Sequence, residues 1–173
     1  IHKFAAEQFH HLYTKVYGLR TVILRLTNTY DPKMLIKDAK QTFLGIWIKN
    51  LILGESLKVF GDGEQLRDFN YVDDVVEALI LSTKKICEGK IINIGSKEVI
   101  KLSDLADLIC KFKKNSCWEL ISFPEDRKSI DIGNYYANYS LAENLLNWSP
   151  QISLKEGLEK TIKFYLKNFE EYM

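Results

Sequence analysis

An arginine set between a glycine turn and a helix start is the first place in this sequence where chemistry can be read. Arg67 lies in LKVFGDGEQLRDFNYVDDVVEAL, Leu57 to Leu79. Leu57, Val59 and Phe60 form a short apolar run, and Gly61-Asp62-Gly63 tolerates positive φ, so the chain can reverse after it. Phe69, Tyr71 and Val72 read as a second short extended segment. Asp74 with Glu77 three residues later has capping-box spacing, which predicts a helix that turns Val75, Val76, Leu79 and Ile80 inward. A guanidinium in this setting can grip a phosphate, because its planar fork matches two phosphate oxygens at once. The same residues also allow a plain surface ion pair between Arg67 and Asp68. Upstream, Asn28 follows the β-branched run TVILRL (21–26), which reads as a buried parallel strand. Beyond the carboxyl end of such a strand the Asn28 amide can meet a phosphate or sugar, or it can only close the turn before Pro32.

The rest of the composition narrows the class. With 173 residues, 46% of them hydrophobic, the chain can bury a core and fits one domain or part of a larger one. The net charge of +1 comes from 24 basic and 23 acidic residues without a long run of either sign. That balance argues against a polynucleotide or a lipid surface as partner and leaves small anions. Cys87, Cys110 and Cys117 show no CxxC spacing, and His2, His10 and His11 have no partners at metal-ligand intervals, so no metal site and a reducing cytoplasm are expected. No apolar stretch approaches the roughly 20 residues of a membrane span, and no signal peptide is recognisable.

The elements that must position Arg67 can be read in order. Apolar residues from Lys3 to Tyr17 recur at helical spacing and Gly18 is a natural stop; Lys3 by itself is an ordinary helix lysine. A loop from Met34 leads to a helix, apolar almost all round, that ends at Leu53. KIINIG (90–95) reads as a strand, Ser103 or Asp104 as the cap of a following helix, and WELISF (118–123) as an edge strand. Ser140-x-x-Glu143 and Ser153-x-x-Glu156 have capping-box spacing for two final helices separated by Asn147-Trp148-Ser149-Pro150. Tyr135, Tyr136 and Tyr139 read as a packing cluster.

Several of these motifs, in this order, resemble one family. GDGEQLRDFNYVDDVVEAL looks like the GDG-x-Q-x-RDF-x-YVDD segment of the extended short-chain dehydrogenases/reductases, the nucleotide-sugar epimerases and dehydratases. RLTNTYDP resembles the family's R-x-x-N-x-Y-G-P, with Asp31 where Gly is usual. NWSPQISLKEGLEKT resembles its G-W-x-P-x-x-S-L-x-E-G-L-x-x-T ending, with Asn147 in place of Gly. The resemblance implies that Arg67 contacts a substrate diphosphate and that Arg127, in the Pro-x-x-Arg segment after Phe123, brings a second guanidinium onto it. It implies Asp131 at a ribose hydroxyl, Asn28 on phosphate or sugar, and Thr42, Phe43, Val59 and Phe60 around the nucleotide. Lys3 takes the place of the Lys in the family's Tyr-x-x-x-Lys pair, supporting the catalytic Tyr and the cofactor ribose, and Leu26 and Thr27 lie on the cofactor side.

The Tyr of that pair would fall four residues before Lys3, ahead of Ile1, and no G-x-x-G-x-x-G occurs in the sequence. The expectation is therefore an α/β chain whose residues 1–173 are the C-terminal, substrate-binding half of such an enzyme. It should comprise the C-terminal part of a Rossmann-like parallel sheet plus a small mixed α/β substrate-binding lobe. NAD would be bound mainly by an N-terminal half, which could be a separate chain, and the substrate would be a nucleoside-diphosphate sugar. C4 epimerisation is the first expectation and 4,6-dehydration the second, with a non-catalytic nucleotide-sugar-binding or interaction module as the alternative of another class. A homodimer through Phe9, Leu12 and Tyr13 of the first helix is also expected.

Overall fold

The structure, a computed structural model, describes residues 1–37, 42–129 and 131–173, except for the side chains of Asp126 and Arg127. It opens on helix α1 (His2–Tyr17), stopped by Gly18 at φ 66°, the left-handed conformation that glycine adopts without strain. Strand β1 (Ile23–Leu26) pairs in parallel with β5 (Ile91–Ile94), in the register Ile23 opposite Ile91 through Leu26 opposite Ile94. Strand β2 (Asn28–Tyr30) runs parallel to β4 (Leu66–Tyr71), whose first half also pairs antiparallel with β6 (Val99–Lys101). A third sheet joins β3 (Leu57–Phe60) in parallel to β7 (Trp118–Ile121). The remaining helices are α2 (Phe43–Leu53), α3 (Val72–Leu81), α4 (Leu102–Cys110), the short α5 (Glu125–Lys128), α6 (Ser140–Leu146) and α7 (Leu154–Asn168). No helix among the described residues is long and apolar enough to cross a membrane.

Two apolar cores result. The larger gathers Trp47, Ile48 and Leu51 of α2, Leu105 and Ile109 of α4, and Leu158 and Tyr165 of α7 around β3 and β4. The smaller packs Val75 and Ala78 of α3 and Ala142 and Leu146 of α6 on Ile92 and Ile94 of β5, closed by Trp148. Because side chains alternate along a strand, this second core takes one face of β1 and β5. On the other face, Arg25 forms a two-point ion pair with Glu7 of α1, at 2.9 and 2.7 Å. That contact and the Thr14–Thr21 hydroxyl bond tie α1 down, and no residue of α1 is buried.

Several local expectations are corrected. The run 21–26 is a parallel strand over its last four residues only, and β1 is not buried, since Arg25 and Leu26 are exposed. Asp74 does not cap α3, which starts at Val72 without a side-chain cap. Its buried carboxylate instead accepts the backbone N–H groups of Gln151 (3.1 Å) and Ile152 (3.0 Å), and the Asp74 carbonyl accepts Trp148 Nε1–H, so it anchors the turn between α6 and α7. With Asp74, Val75 and Ala78 facing inward, the helical repeat turns Val76, Leu79 and Ile80 outward, and they are 45%, 48% and 65% exposed. Neither Ser103 nor Asp104 caps α4; the glycine turn serves instead, Gly63 and Gln65 carbonyls accepting the Ser103 and Leu102 N–H groups. At α6 Ser140 does not cap: the Glu143 N–H donates to the Tyr139 carbonyl, and the Ser140 N–H and hydroxyl both donate to the Asn138 carboxamide oxygen, whereas Ser153 does cap α7 by accepting the Glu156 N–H. Of the three tyrosines only Tyr139 packs, edge-on against Trp148; Tyr135 and Tyr136 are exposed. Asn147, which stands where the family has Gly, takes a left-handed backbone at φ 54°, a conformation Asn tolerates.

Gly157 of α7 meets the sheet so closely that an added Cβ would lie 2.1 Å from Tyr30 Oη and 2.8 Å from the Tyr71 ring. Gly to Ala in an open helix stabilises by about 1 kcal/mol. Here Gly157→Ala is expected to destabilise by about 1–3 kcal/mol through overpacking, read as a lower midpoint in thermal or urea unfolding. The Asp74 geometry makes a second, contrasting pair. Asp74→Ala should cost about 3 kcal/mol by stranding two N–H groups and removing charged hydrogen bonds, while Glu77→Ala should stay within about 0.5 kcal/mol; comparable losses would restore the capping box.

Candidate functional site

Strand β4 alternates its side chains, so Arg67 and Asp68 point apart and do not pair with each other. Each is instead met by the segment 131–137, a strap laid along β4. Asn134 Oδ1 accepts the Leu66 N–H at 2.9 Å, the Tyr135 N–H donates to the Leu66 carbonyl at 2.9 Å, and Tyr135 forms a parallel bridge to Arg67. Further on, the Ala137 N–H donates to Asp68 Oδ2 at 3.3 Å. The same Asp68 oxygen accepts the Ser96 N–H at 3.1 Å, so one fully buried carboxylate joins β4, the loop after β5 and the strap. Gly95 permits this closeness: a Cβ there would stand 2.7 Å from the Ala137 carbonyl oxygen and 3.0 Å from Asp68 Oδ2. Burial pushes the Asp68 pKa up, opposed by the two N–H donors.

Arg67 is 9% exposed. One terminal nitrogen donates to the Leu66 carbonyl at 2.9 Å and to the Gly133 carbonyl, and the other faces Asp131 Oδ1 at 3.7 Å. Burial lowers its pKa and Asp131 raises it; the group remains a cation, oriented by the strap rather than free to sweep. Thr27 and Asn28 adjoin this junction. Asn28 Nδ2 donates to the Asp68 carbonyl at 2.9 Å, and Asn70 Nδ2 donates to Thr27 Oγ1 at 2.7 Å. The structure therefore sets Asp131 against Arg67 near the start of β4, and Asn28 and Thr27 further along the same strand, against Asp68 and Asn70. Asp31 sits in no left-handed conformation, so it carries no glycine-replacement strain; its carboxylate accepts the Lys33 N–H in a local turn.

The other predicted residues are placed elsewhere. Thr42 caps α2, its hydroxyl accepting the Gly45 N–H at 3.3 Å, and Phe43 packs edge-on against Trp47 and Phe69. Val59 is fully buried, which leaves only its backbone to face a ligand, while Phe60 is half-buried with its ring tilted against Phe123 at 5.5 Å. Leu26 ends β1, exposed, and Lys3 lies on the exposed α1. Arg127 falls in α5, and its side chain lies outside the described residues. Sequence reasoning missed Asp68 and Gly95 as organisers of the site; their signal was present only as the Asp beside Arg67 and a glycine closing KIINIG.

Residues 1–95 match the model of the NAD dependent epimerase/dehydratase family. The UDP-glucuronate 4-epimerase of Thermodesulfobacterium geofontis is 32% identical over 172 residues, covering 97% of this chain and 50% of that protein. The dTDP-glucose 4,6-dehydratase of Haemophilus influenzae is 31% identical over 89% of this chain and 47% of that protein. Among solved structures, the UDP-glucuronic acid 4-epimerase of Bacillus cereus in complex with NAD aligns with a TM-score of 0.80 at 30% identity, over 99% of this chain and 50% of that one. The chain spans about half the length of the relatives it matches, and its mixed α/β architecture with parallel pairing is that of the corresponding half of Rossmann-like epimerase/dehydratase structures. With its motif order, its fold and a family match over residues 1–95, this chain belongs to the NAD-dependent epimerase/dehydratase family.

Proposed function

We propose that this chain is the substrate-binding half of a nucleoside-diphosphate-sugar 4-epimerase and that Arg67 grips the substrate's diphosphate. The observation that carries this reading is the Arg67 guanidinium itself, nearly buried, oriented by two carbonyls and facing the partly exposed Asp131. A cation held this way meets a phosphate without first losing the freedom of a long side chain. Asn28 keeps one amide hydrogen beyond its bond to Asp68 for a phosphate or sugar hydroxyl. Arg127 supplies the second guanidinium and Asp131 a ribose contact, while the Phe60 ring, the Val59 backbone, Thr42 and Phe43 flank the nucleotide. A second reading, 4,6-dehydration, is favoured by the similarity to dTDP-glucose 4,6-dehydratase; it keeps the same role for Arg67.

NAD is the family's cofactor and supplies hydride acceptance and return when bound. Of the groups that hold it, this chain offers Lys3 on α1 and Leu26–Thr27 at the end of β1, with Lys3 supporting the proton-exchanging Tyr of the family. The sequence has no glycine-rich turn opening a helix to receive a pyrophosphate, so these residues do not form a dinucleotide site by themselves. The part of the work assigned to this chain is binding and orienting the sugar nucleotide.

Calorimetric titration with UDP, dTDP and GDP tests the reading. One of them is expected to bind, and Arg67→Ala to weaken it roughly ten- to hundredfold, the range of a charge-assisted hydrogen-bond pair; equal affinity in wild type and variant would remove Arg67 from the site. The exposed apolar face of α1, where Phe9, Leu12 and Tyr13 are 61%, 50% and 45% exposed, is proposed to pair with its copy in a dimer. Light scattering should then give twice the 20.1 kDa chain mass and Phe9→Glu the single mass; a wild-type monomer at high concentration would rule this contact out.

A further inference from the structure

Asp131 stands where a phosphate oxygen would have to arrive. One terminal nitrogen of Arg67 is taken up by the neutral carbonyls of Leu66 and Gly133, which leaves the other as the end of the fork turned to a charged group, and that group is Asp131. The separation of 3.7 Å is an ion pair without a full hydrogen bond. The Asp131 side chain is 28% exposed against 10% for Arg67, so it lies on the solvent side of the pair and a ligand coming from solution meets the carboxylate first.

The backbone is built for the carboxylate to leave. From Gly133 onward the strap is fixed to β4 by the Arg67 bond to its carbonyl, by Asn134 and by Tyr135. Asp131 lies just ahead of that fixed part, and Gly133 at φ 64° marks the junction with a conformation that other residues adopt poorly. The Asp131 N–H reaches back to the Lys128 carbonyl at 3.4 Å. Rotation of one exposed side chain therefore uncovers Arg67 while every bond that orients the guanidinium stays in place.

We propose that Asp131 is an internal stand-in for the anionic ligand: it holds the Arg67 fork in register and is displaced when a diphosphate binds. This rests on reading Arg67 as the diphosphate grip. The carboxylate makes the site selective by charge. A diphosphate spreads its charge over two adjacent groups and outcompetes a single carboxylate, whereas a ligand with one weakly charged group does not. Once displaced, Asp131 becomes available to the ribose hydroxyl of a nucleotide, so its removal acts oppositely on the two halves of the ligand.

The test compares inorganic pyrophosphate, which has no ribose, with UDP by calorimetry on wild type, Asp131→Asn, Asp131→Ala and Arg67→Ala, each checked for the wild-type circular dichroism spectrum. Pyrophosphate is expected to bind about fivefold tighter to both Asp131 variants, about 1 kcal/mol, the size of a partly exposed ion pair. UDP should gain less than pyrophosphate, and Arg67→Ala should lose both ligands. If pyrophosphate binds the Asp131 variants no tighter than wild type while Arg67→Ala still loses it, the stand-in role is overturned and the diphosphate grip survives. If Arg67→Ala binds pyrophosphate as wild type does, or no folded form binds either ligand, the diphosphate grip itself falls and the stand-in role with it.

Discussion

Strand β4 carries Arg67, Asp68 and Asn70 at 9%, 0% and 1% exposure, and the need to satisfy these polar groups inside the protein shapes everything around it. A buried charge without partners costs several kcal/mol, so a strand of this composition is stable only if other backbone is brought to it. Asp68 draws in the N–H groups of Ser96 and Ala137, Arg67 draws in the Gly133 carbonyl, and Asn70 ties to Thr27 at the end of β1. Three segments far apart in sequence thus converge on three polar residues of β4. Asp74 repeats the device in the first turn of α3, where its carboxylate holds the chain between α6 and α7. The organising stretch is therefore polar at its centre and apolar at its margins, the reverse of an ordinary core strand.

That inversion explains what could and could not be read from the residues. Helix α1 with its Gly18 stop, the strand nature of KIINIG, the Ser153 cap and the left-handed Asn147 depend on near neighbours, and local spacing sufficed for them. Asp74 misled because Asp-x-x-Glu has one local meaning, a cap, while its actual partners, Gln151 and Ile152, lie about eighty positions away. The inward direction assigned to Val76, Leu79 and Ile80 failed with it, because a helix whose buried face is set by a buried Asp74 cannot also bury its opposite side. Arg67 was legible as a candidate anion site, but its partner was not, since an Arg-Asp pair in sequence suggests a local ion pair and strand alternation forbids one. The packing of Phe43 and Val59 follows from the all-round apolar helix and the short apolar run in which each lies.

The two apolar surfaces left open follow from the same distribution. Helix α1 touches the sheet through an ion pair and a hydroxyl bond, contacts that orient a helix but bury little. Its apolar residues, like Val76, Leu79 and Ile80 of α3, face solvent on this chain. These are groups of neighbouring exposed apolar side chains rather than single ones, the pattern of a surface that meets a partner.

Charge balance decides how far Arg67 could act alone. With Asp131 beside it the local sum is zero, and displacing the carboxylate restores one positive charge against a diphosphate that carries at least two negative ones. If Arg67 grips a diphosphate as proposed, one guanidinium would leave part of that charge unbalanced and a second cation would be needed to neutralise it. Asn28 can donate a hydrogen but no charge, and α4, which starts beside Leu66 through the β4–β6 pairing, carries Asp104 in its first turn. The sequence supplies Arg127 four positions before Asp131, in the segment that leads into the strap.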